Sequence, residues 1–169
     1  MSEISYSYDR TLHFRLKGCS NLHQDDIEKI ISECILLANA TECKTFVHYF
    51  EPHGLSSASI LSESHINFHI TPEEGQRYVQ MDISTCGTKP NPIMTVEYML
   101  SEFNPDRARI SYEFLGFDSG NILFPDSLEE FLSQAITEKT KEKYEIVKSY
   151  AFPELSRFKD QYRMELKRK

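Results

Sequence analysis

Alternation of apolar and polar side chains is the feature that most limits what this chain can fold into. Over residues 11–17, Leu12, Phe14 and Leu16 fall on one side and His13, Arg15 and Lys17 on the other. A period of two belongs to a β-strand with one buried face. The pattern returns over 64–70, where Ile66, Phe68 and Ile70 oppose His65, Asn67 and His69. It also returns over 77–85, with Val79, Met81 and Ile83 inward, and over 109–114, with Ile110, Tyr112 and Phe114. Residues 45–50 and 57–61 are β-like as well, the first placing Phe46, His48 and Phe50 opposite Thr45, Val47 and Tyr49.

Two stretches break the alternation with helical spacing. Ile27, Ile30, Ile31, Cys34 and Leu37/Ala38 predict a helix over 24–40, with Asp25 and Asp26 where the helix dipole favours acids. Lys89-Pro-Asn-Pro92 opens a second helix with apolar stripe Ile93, Val96, Met99, Leu100 and Phe103, stopped by Asn104-Pro105. The order strand, helix, strands, helix, strand predicts an α+β two-layer sandwich, a largely antiparallel sheet with helices on one face. From Asp126 onward Leu128, Phe131, Leu132, Ala135 and Ile136 fit a helix; Tyr144, Ile146, Val147 and Tyr150 suggest a second segment, and Pro153 precedes a charged tail read as helical. The expected division is a core over 1–123 and a helical C-terminal extension over 124–169.

At 169 residues the chain is long enough for a sizeable core. Its net charge of −7 argues against a non-specific nucleic-acid binder. No apolar run approaches membrane-spanning length and the N-terminus has no signal pattern, so a cytoplasmic location is expected. Cys19, Cys34, Cys43 and Cys86 lack metal-type pairing and read as free thiols.

The stretch richest in potential chemistry is 54–69, serine-rich and free of lysine and arginine, with Ser64 and His69 five residues apart. A serine near a histidine suggests a hydrolase, but Gly-x-Ser-x-Gly is absent and no third partner is identifiable. His65-x-x-x-His69 has zinc-ligand spacing on a helix; on a strand the two lie roughly 13 Å apart, too far to share an ion. No metal is expected. On its own residues the chain is an α+β domain with no assigned chemistry.

A set of ordered motifs goes further. Pro52-x-Gly54-Leu-Ser56, Glu63-Ser64-His65, His69, Pro72-Glu73 and Asp82-Ile-Ser-Thr-Cys86-Gly87 occur in sequence. Over about residues 10–116 they resemble the short bacterial and archaeal form of the pyruvoyl-dependent S-adenosylmethionine decarboxylases, apart from a small insertion near 74–77. That resemblance implies self-cleavage between Glu63 and Ser64, with 1–63 as the β chain and 64–169 as the α chain. Ser64 attacks the Glu63 carbonyl to give an ester; a base then removes its α-proton, and β-elimination and hydrolysis leave a covalent pyruvoyl group, the cofactor, at the new N-terminus. The resemblance assigns His69 as that base, Ser56 as a group that positions the scissile carbonyl, and Cys86 as the proton donor in turnover. It makes Phe50 and Glu73 substrate-pocket candidates. The pyruvoyl ketone would take the small-molecule substrate's amine as a Schiff base and act as electron sink. An unbroken strand puts Ser64 and His69 roughly 17 Å apart on opposite faces, so the assigned roles require the chain to bend between them.

Two departures bear on substrate. The family's His-Thr-Trp-Pro-Glu is His69-Ile-Thr-Pro-Glu73 here, with Thr71 in place of tryptophan; Arg15 stands where an acidic residue is usual, and Thr11 where an early histidine is usual. The expectation is a decarboxylase of S-adenosylmethionine serving spermidine synthesis, with the same chemistry on arginine or ornithine as the alternative and a non-catalytic binding relative as a third reading. A homodimer of cleaved protomers is implied, with Glu73 able to act across its interface.

Overall fold

The computed structural model describes residues 9–19, 26–73, 75–87, 89–115, 127–152 and 159–169. The strands are β1 (Asp9–Cys19), β2 (Glu42–Phe50), β3 (Gly54–Leu61), β4 (Ser64–Glu73), β5 (Gln76–Cys86), β6 (Arg107–Leu115), β7 (Tyr144–Phe152) and β8 (Lys159–Arg168). All eight form one sheet in the order β2-β3-β4-β5-β1-β6-β8-β7, and every neighbouring pair is antiparallel.

One face of that sheet is the core. Leu12, Phe14, Leu16, Ile66, Phe68, Ile70, Val79, Met81, Ile83, Ile110 and Tyr112 are all buried, in the alternation their strands predict. Helix α1 (Ile27–Leu37) buries Ile27, Ile30, Ile31, Cys34 and Ile35 into the same cluster. The second helix begins as a 3₁₀ turn, Pro92–Thr95, capped by the Asn91 side chain, which accepts from the Ile93 N–H at 3.2 Å. It continues as α2 (Val96–Phe103) and ends at Asn104 in the left-handed conformation, φ 39°. Phe103 reaches Phe68 on β4, ring centroids 6.3 Å apart. The other sheet face carries His13, Arg15, Asp82, His69 and Ser56.

The helical C-terminal extension is corrected. Helices α3 (Leu128–Ala135) and α4 (Glu138–Lys143) are present, but Tyr144–Phe152 and Lys159–Arg168 are strands. The tail alternates: Tyr162, Met164 and Leu166 are buried, while Arg163, Glu165 and Lys167 face the open side. Its charged residues therefore mark one face of a strand rather than the outside of a helix. In β7 the register shifts between Ile146 and Lys148, and such a bulge places two apolar residues side by side in sequence, which imitates helical spacing. Phe131 of α3 stacks between Tyr112 and Tyr162, at 5.8 Å and 20° from each, joining α3 to β6 and β8.

Candidate active site

Strands β3 and β4 are joined by the two-residue turn Ser62-Glu63, with Leu61 facing Ser64 in the ladder. The Glu63–Ser64 bond thus lies at a hairpin tip. Thr41, between α1 and β2, holds that tip three ways. Its N–H donates to Glu63 Oε2 at 2.8 Å, its hydroxyl to Oε1 at 3.1 Å, and its carbonyl accepts from Ser62 N–H at 2.9 Å. From the other side the Cys86 N–H donates to the Glu63 carbonyl oxygen at 2.7 Å. This is the oxygen that would gain negative charge if Ser64 attacked the carbonyl carbon.

Ser64 has φ 148°, a region costly for any residue with a Cβ. Its hydroxyl and His65 Nδ1 are 3.1 Å apart. Ser64 pairs with Thr85 on β5, which brings the half-exposed Cys86 alongside. Glu63, Ser64 and Cys86 therefore form one group at the hairpin tip.

A second group lies farther along the open face. Ser56 and His69 sit directly opposite on β3 and β4, Oγ to Nδ1 2.6 Å. Phe50 lies beside His69, ring centroids 5.9 Å apart, and next to His48 at 5.4 Å. Gly54 makes room for the Phe50 ring, because a Cβ there would come within 2.4 Å of it. Glu73 ends β4 opposite Gln76; its side chain lies outside the described residues.

The two groups do not meet within one chain. The β4 register runs without a shift from Ser64 to Glu73 against β5, so the expected bend between Ser64 and His69 is absent. Five residues of continuous strand separate them by roughly 17 Å.

Three contributors escaped the sequence reading. Thr41 is twenty-two residues from Glu63 and belongs to no motif. The Cys86 amide is backbone, which no residue pattern displays. The third is a charged cluster on the open face. His13 Nδ1 is 2.6 Å from Asp82 Oδ1, Arg15 Nη1 is 3.3 Å from the same oxygen, and His13 Nε2 is 3.9 Å from Glu113. Burial opposes the Asp82 carboxylate, but the His13 hydrogen bond and the Arg15 charge outweigh it and hold its carboxyl below the usual range. Arg15, the departure noted in sequence, is thus paired with Asp82. Among the described residues no cluster of three potential metal ligands occurs, and no helix is long and apolar enough to cross a membrane.

A family model, S-adenosylmethionine decarboxylase, matches residues 15–116. The S-adenosylmethionine decarboxylase proenzyme of Sulfurihydrogenibium sp. is 33% identical over 85 residues, 50% of this chain and 62% of that protein. The match thus spans less than two thirds of the relative's length. A crystal structure of the adenosylmethionine decarboxylase from Aquifex aeolicus aligns with TM-score 0.55 and 23% identity, over 72% of this chain and 98% of that one. That of the Trypanosoma brucei AdoMetDC-delta26 monomer aligns with TM-score 0.58 and 17% identity, over 98% of this chain and 66% of that one. At these identities the two structures speak to the fold alone.

Proposed function

The chain belongs to the S-adenosylmethionine decarboxylase family, and from that premise we propose that it is a cytoplasmic, self-processing, pyruvoyl-dependent decarboxylase of S-adenosylmethionine that serves spermidine synthesis. The observation that carries the reading is the hydrogen bond from the Cys86 N–H to the Glu63 carbonyl, 2.7 Å long, at the bond to be cut.

Processing follows from the geometry of the hairpin tip. The Ser64 hydroxyl, oriented by His65 Nδ1, adds to the Glu63 carbonyl carbon. The Cys86 N–H stabilises the charge that develops on the oxygen, as an oxyanion-hole donor does. Thr41 fixes the Glu63 side chain, so the carbonyl keeps its direction during attack. The amide becomes an ester, and the strain at Ser64, with φ 148°, is available for release when the chain separates.

The base that removes the Ser64 α-proton comes from a second copy. His69 Nδ1 is 2.6 Å from Ser56 Oγ; in the tautomer whose Nδ1–H donates to that oxygen, Nε2 keeps a free lone pair, and an imidazole is a competent base near neutrality. Its own Ser64 lies roughly 17 Å away along an unbroken strand. A homodimer that apposes the open sheet faces supplies the missing contact and completes a layered arrangement with helices outside. The residues at the tip fit a pyruvoyl group formed from Ser64, because Cys86, next along β5 from Ser64's partner Thr85, brings a thiol-bearing residue to the same end of the sheet. The group supplies an electron-withdrawing carbonyl for loss of carbon dioxide. Cys86 then delivers a proton, Phe50 offers an aromatic face to the sulfonium and adenine, and Glu73 is the acceptor for ribose hydroxyls.

Intact mass under denaturing conditions tests the reading. Two chains divided at Glu63–Ser64 are expected, and borohydride should trap an adduct of the larger one with S-adenosylmethionine but not with arginine or ornithine. A single uncut chain without decarboxylase activity would overturn it.

A further inference from the structure

Arg10 is a charged side chain inside the core, only 1% exposed. It follows the alternation of Leu12, Phe14 and Leu16 on β1 and so lies on the helix-covered face of the sheet, away from the open face that a second copy would cover. Its Nη1–H donates to the Pro90 carbonyl. Among the described residues its Nε and Nη2 have no partner. Burial lowers the guanidinium's hold on its proton, yet arginine stays charged in proteins. A buried charge left unpaired is among the costliest features a fold can carry.

Two hydroxyls beside it share its condition. Thr85 is directly opposite Arg10 on β5, and Tyr112 on β6 pairs with Leu12, the next residue along the same face of β1. Both side chains are buried, and neither Thr85 Oγ1 nor the Tyr112 hydroxyl has a partner among the described residues. Burial raises the Tyr112 hydroxyl against the pull of the Arg10 charge, which keeps it a neutral donor. The cluster therefore offers hydrogen-bond donors around one positive charge. The processing and decarboxylation readings use neither Arg10 nor these two hydroxyls.

We propose that Arg10, Thr85 and Tyr112 form an enclosed binding site for a small carboxylate the size of formate, its two oxygens on Arg10 Nε–H and Nη2–H. Those two nitrogens are the adjacent donors of one guanidinium edge, and their parallel N–H bonds match the paired oxygens of a carboxylate. The Thr85 and Tyr112 hydroxyls donate to the remaining lone pairs. Water in the same place would serve the hydroxyls and leave the charge unbalanced. Enclosure sets the size, because a ligand that reaches a guanidinium shut off from solvent must be small enough to enter on local opening. Bound there, the carboxylate fixes the guanidinium that holds the Pro90 carbonyl, and so ties down the connection from Cys86 to Pro92.

Sodium formate titrated into the full-length protein at constant ionic strength is the direct test, with the sodium salt of HEPES making up the balance. Nitrogen-15 NMR follows the Arg10 Nε–H cross-peak, assigned through its side-chain bonds. A saturable shift is expected with one formate per chain, together with a Tm rise that saturates over the same range. Chloride, which lacks paired oxygens, and benzoate, a carboxylate too large to enter, should each bind at least about tenfold more weakly. Tyr112→Phe and Thr85→Val keep the guanidinium and lose one donor each, and each should weaken formate at least about threefold. Arg10→Met should lose the formate-dependent Tm rise; should it not fold, the cross-peak and the two hydroxyl variants decide. A cross-peak that formate leaves in place would overturn the proposal, because an acidic side chain of the chain itself would then hold that edge. So would equal binding of chloride or benzoate, undiminished binding in either hydroxyl variant, or a formate-dependent Tm rise that persists in Arg10→Met.

Discussion

The Cys86 N–H donates to the Glu63 carbonyl at 2.7 Å, while the Cys86 side chain is a free, half-exposed thiol on the same strand end. In the proposed mechanism backbone and side chain of one residue serve two different reactions, and substitution separates them. Cys86→Ala keeps the amide and removes the thiol. It should cleave within about threefold of the parent rate yet lose decarboxylation by at least about 100-fold, the low end for a positioned proton donor. Denaturing mass spectrometry follows the first and carbon dioxide release the second. An uncleaved Cys86→Ala protein would assign the thiol to processing as well.

Thr41 provides a second separation. Its hydroxyl and its N–H each hold one oxygen of the Glu63 carboxylate. Thr41→Val removes only the hydroxyl contribution and keeps size and β-branching. A hydrogen bond to a charged group contributes about 1.5–3 kcal/mol, so processing should slow roughly tenfold or more if the bond holds the carbonyl in line. Thr41→Ser should restore the rate. Equal cleavage time courses for all three proteins would mean that Thr41 shapes the turn without directing the reaction.

His69 acting on another copy makes a prediction that no intrachain role shares. On that proposal Ser64→Ala chains cannot be cut but carry an intact His69, and His69→Ala chains carry Ser64 but lack the proposed base. Each alone should remain uncleaved. Co-expressed, the His69→Ala chains should be cut, because the partner supplies the imidazole, while the Ser64→Ala chains stay whole. Distinct affinity tags let mass spectrometry assign each product. Persistent full-length His69→Ala chains in the mixture would place the base within the protomer and point to His65, whose Nδ1 is 3.1 Å from the Ser64 hydroxyl.

Much of the sheet was legible because its strands obey one rule: Leu12, Phe14 and Leu16, or Val79, Met81 and Ile83, are buried at every second position. The tail obeys it too at Tyr162, Met164 and Leu166, but the polar residues between them are long and charged, and the bulge in β7 adds apolar neighbours that suit a helix. In the site, the serine, histidine and cysteine positions were legible through motifs. Their grouping was not, since it depends on strand register: Ser56 meets His69 because β3 and β4 pair that way, and Ser64 is kept from His69 because β4 does not bend. Thr41 and the Cys86 amide act through a turn and through backbone, which leave no side-chain pattern.

The four thiols should react in an order set by burial. Cys43 is exposed and Cys86 half-exposed, whereas Cys19 and Cys34 are buried. Burial, reinforced by the nearby Asp106 carboxylate, pushes the Cys19 thiol up to about 12, and burial likewise raises Cys34. The thiolate is the nucleophile. At pH 8 an alkylating reagent should label Cys43 first, then Cys86, and reach Cys19 and Cys34 only on unfolding. The same shift sets an alkaline limit: in the unfolded chain Cys19 ionises near 9.0, in the folded one near 12. Its contribution is complete below about pH 9 and is lost as pH rises toward 12. Cys19→Ala should flatten the fall of stability across that window, read by denaturant titration at successive pH values.

The strand assignment of the tail carries a test of its own. Met164 is fully buried and Tyr162 nearly so, with the Tyr162 ring stacked on Phe131; Glu165, between Met164 and Leu166, faces the open side beside Arg109. Met164→Ala should cost about 2–5 kcal/mol and Tyr162→Ala a similar amount, as expected for large core side chains. Glu165→Ala should cost no more than about 1 kcal/mol, since its ion pair with Arg109 is partly exposed. On an extra helix packed loosely against the core the three costs would be small and alike. On β8, hydrogen-bonded along β6 from Lys159 to Lys167, they must alternate with position, and chemical denaturation of the three variants reads that alternation directly.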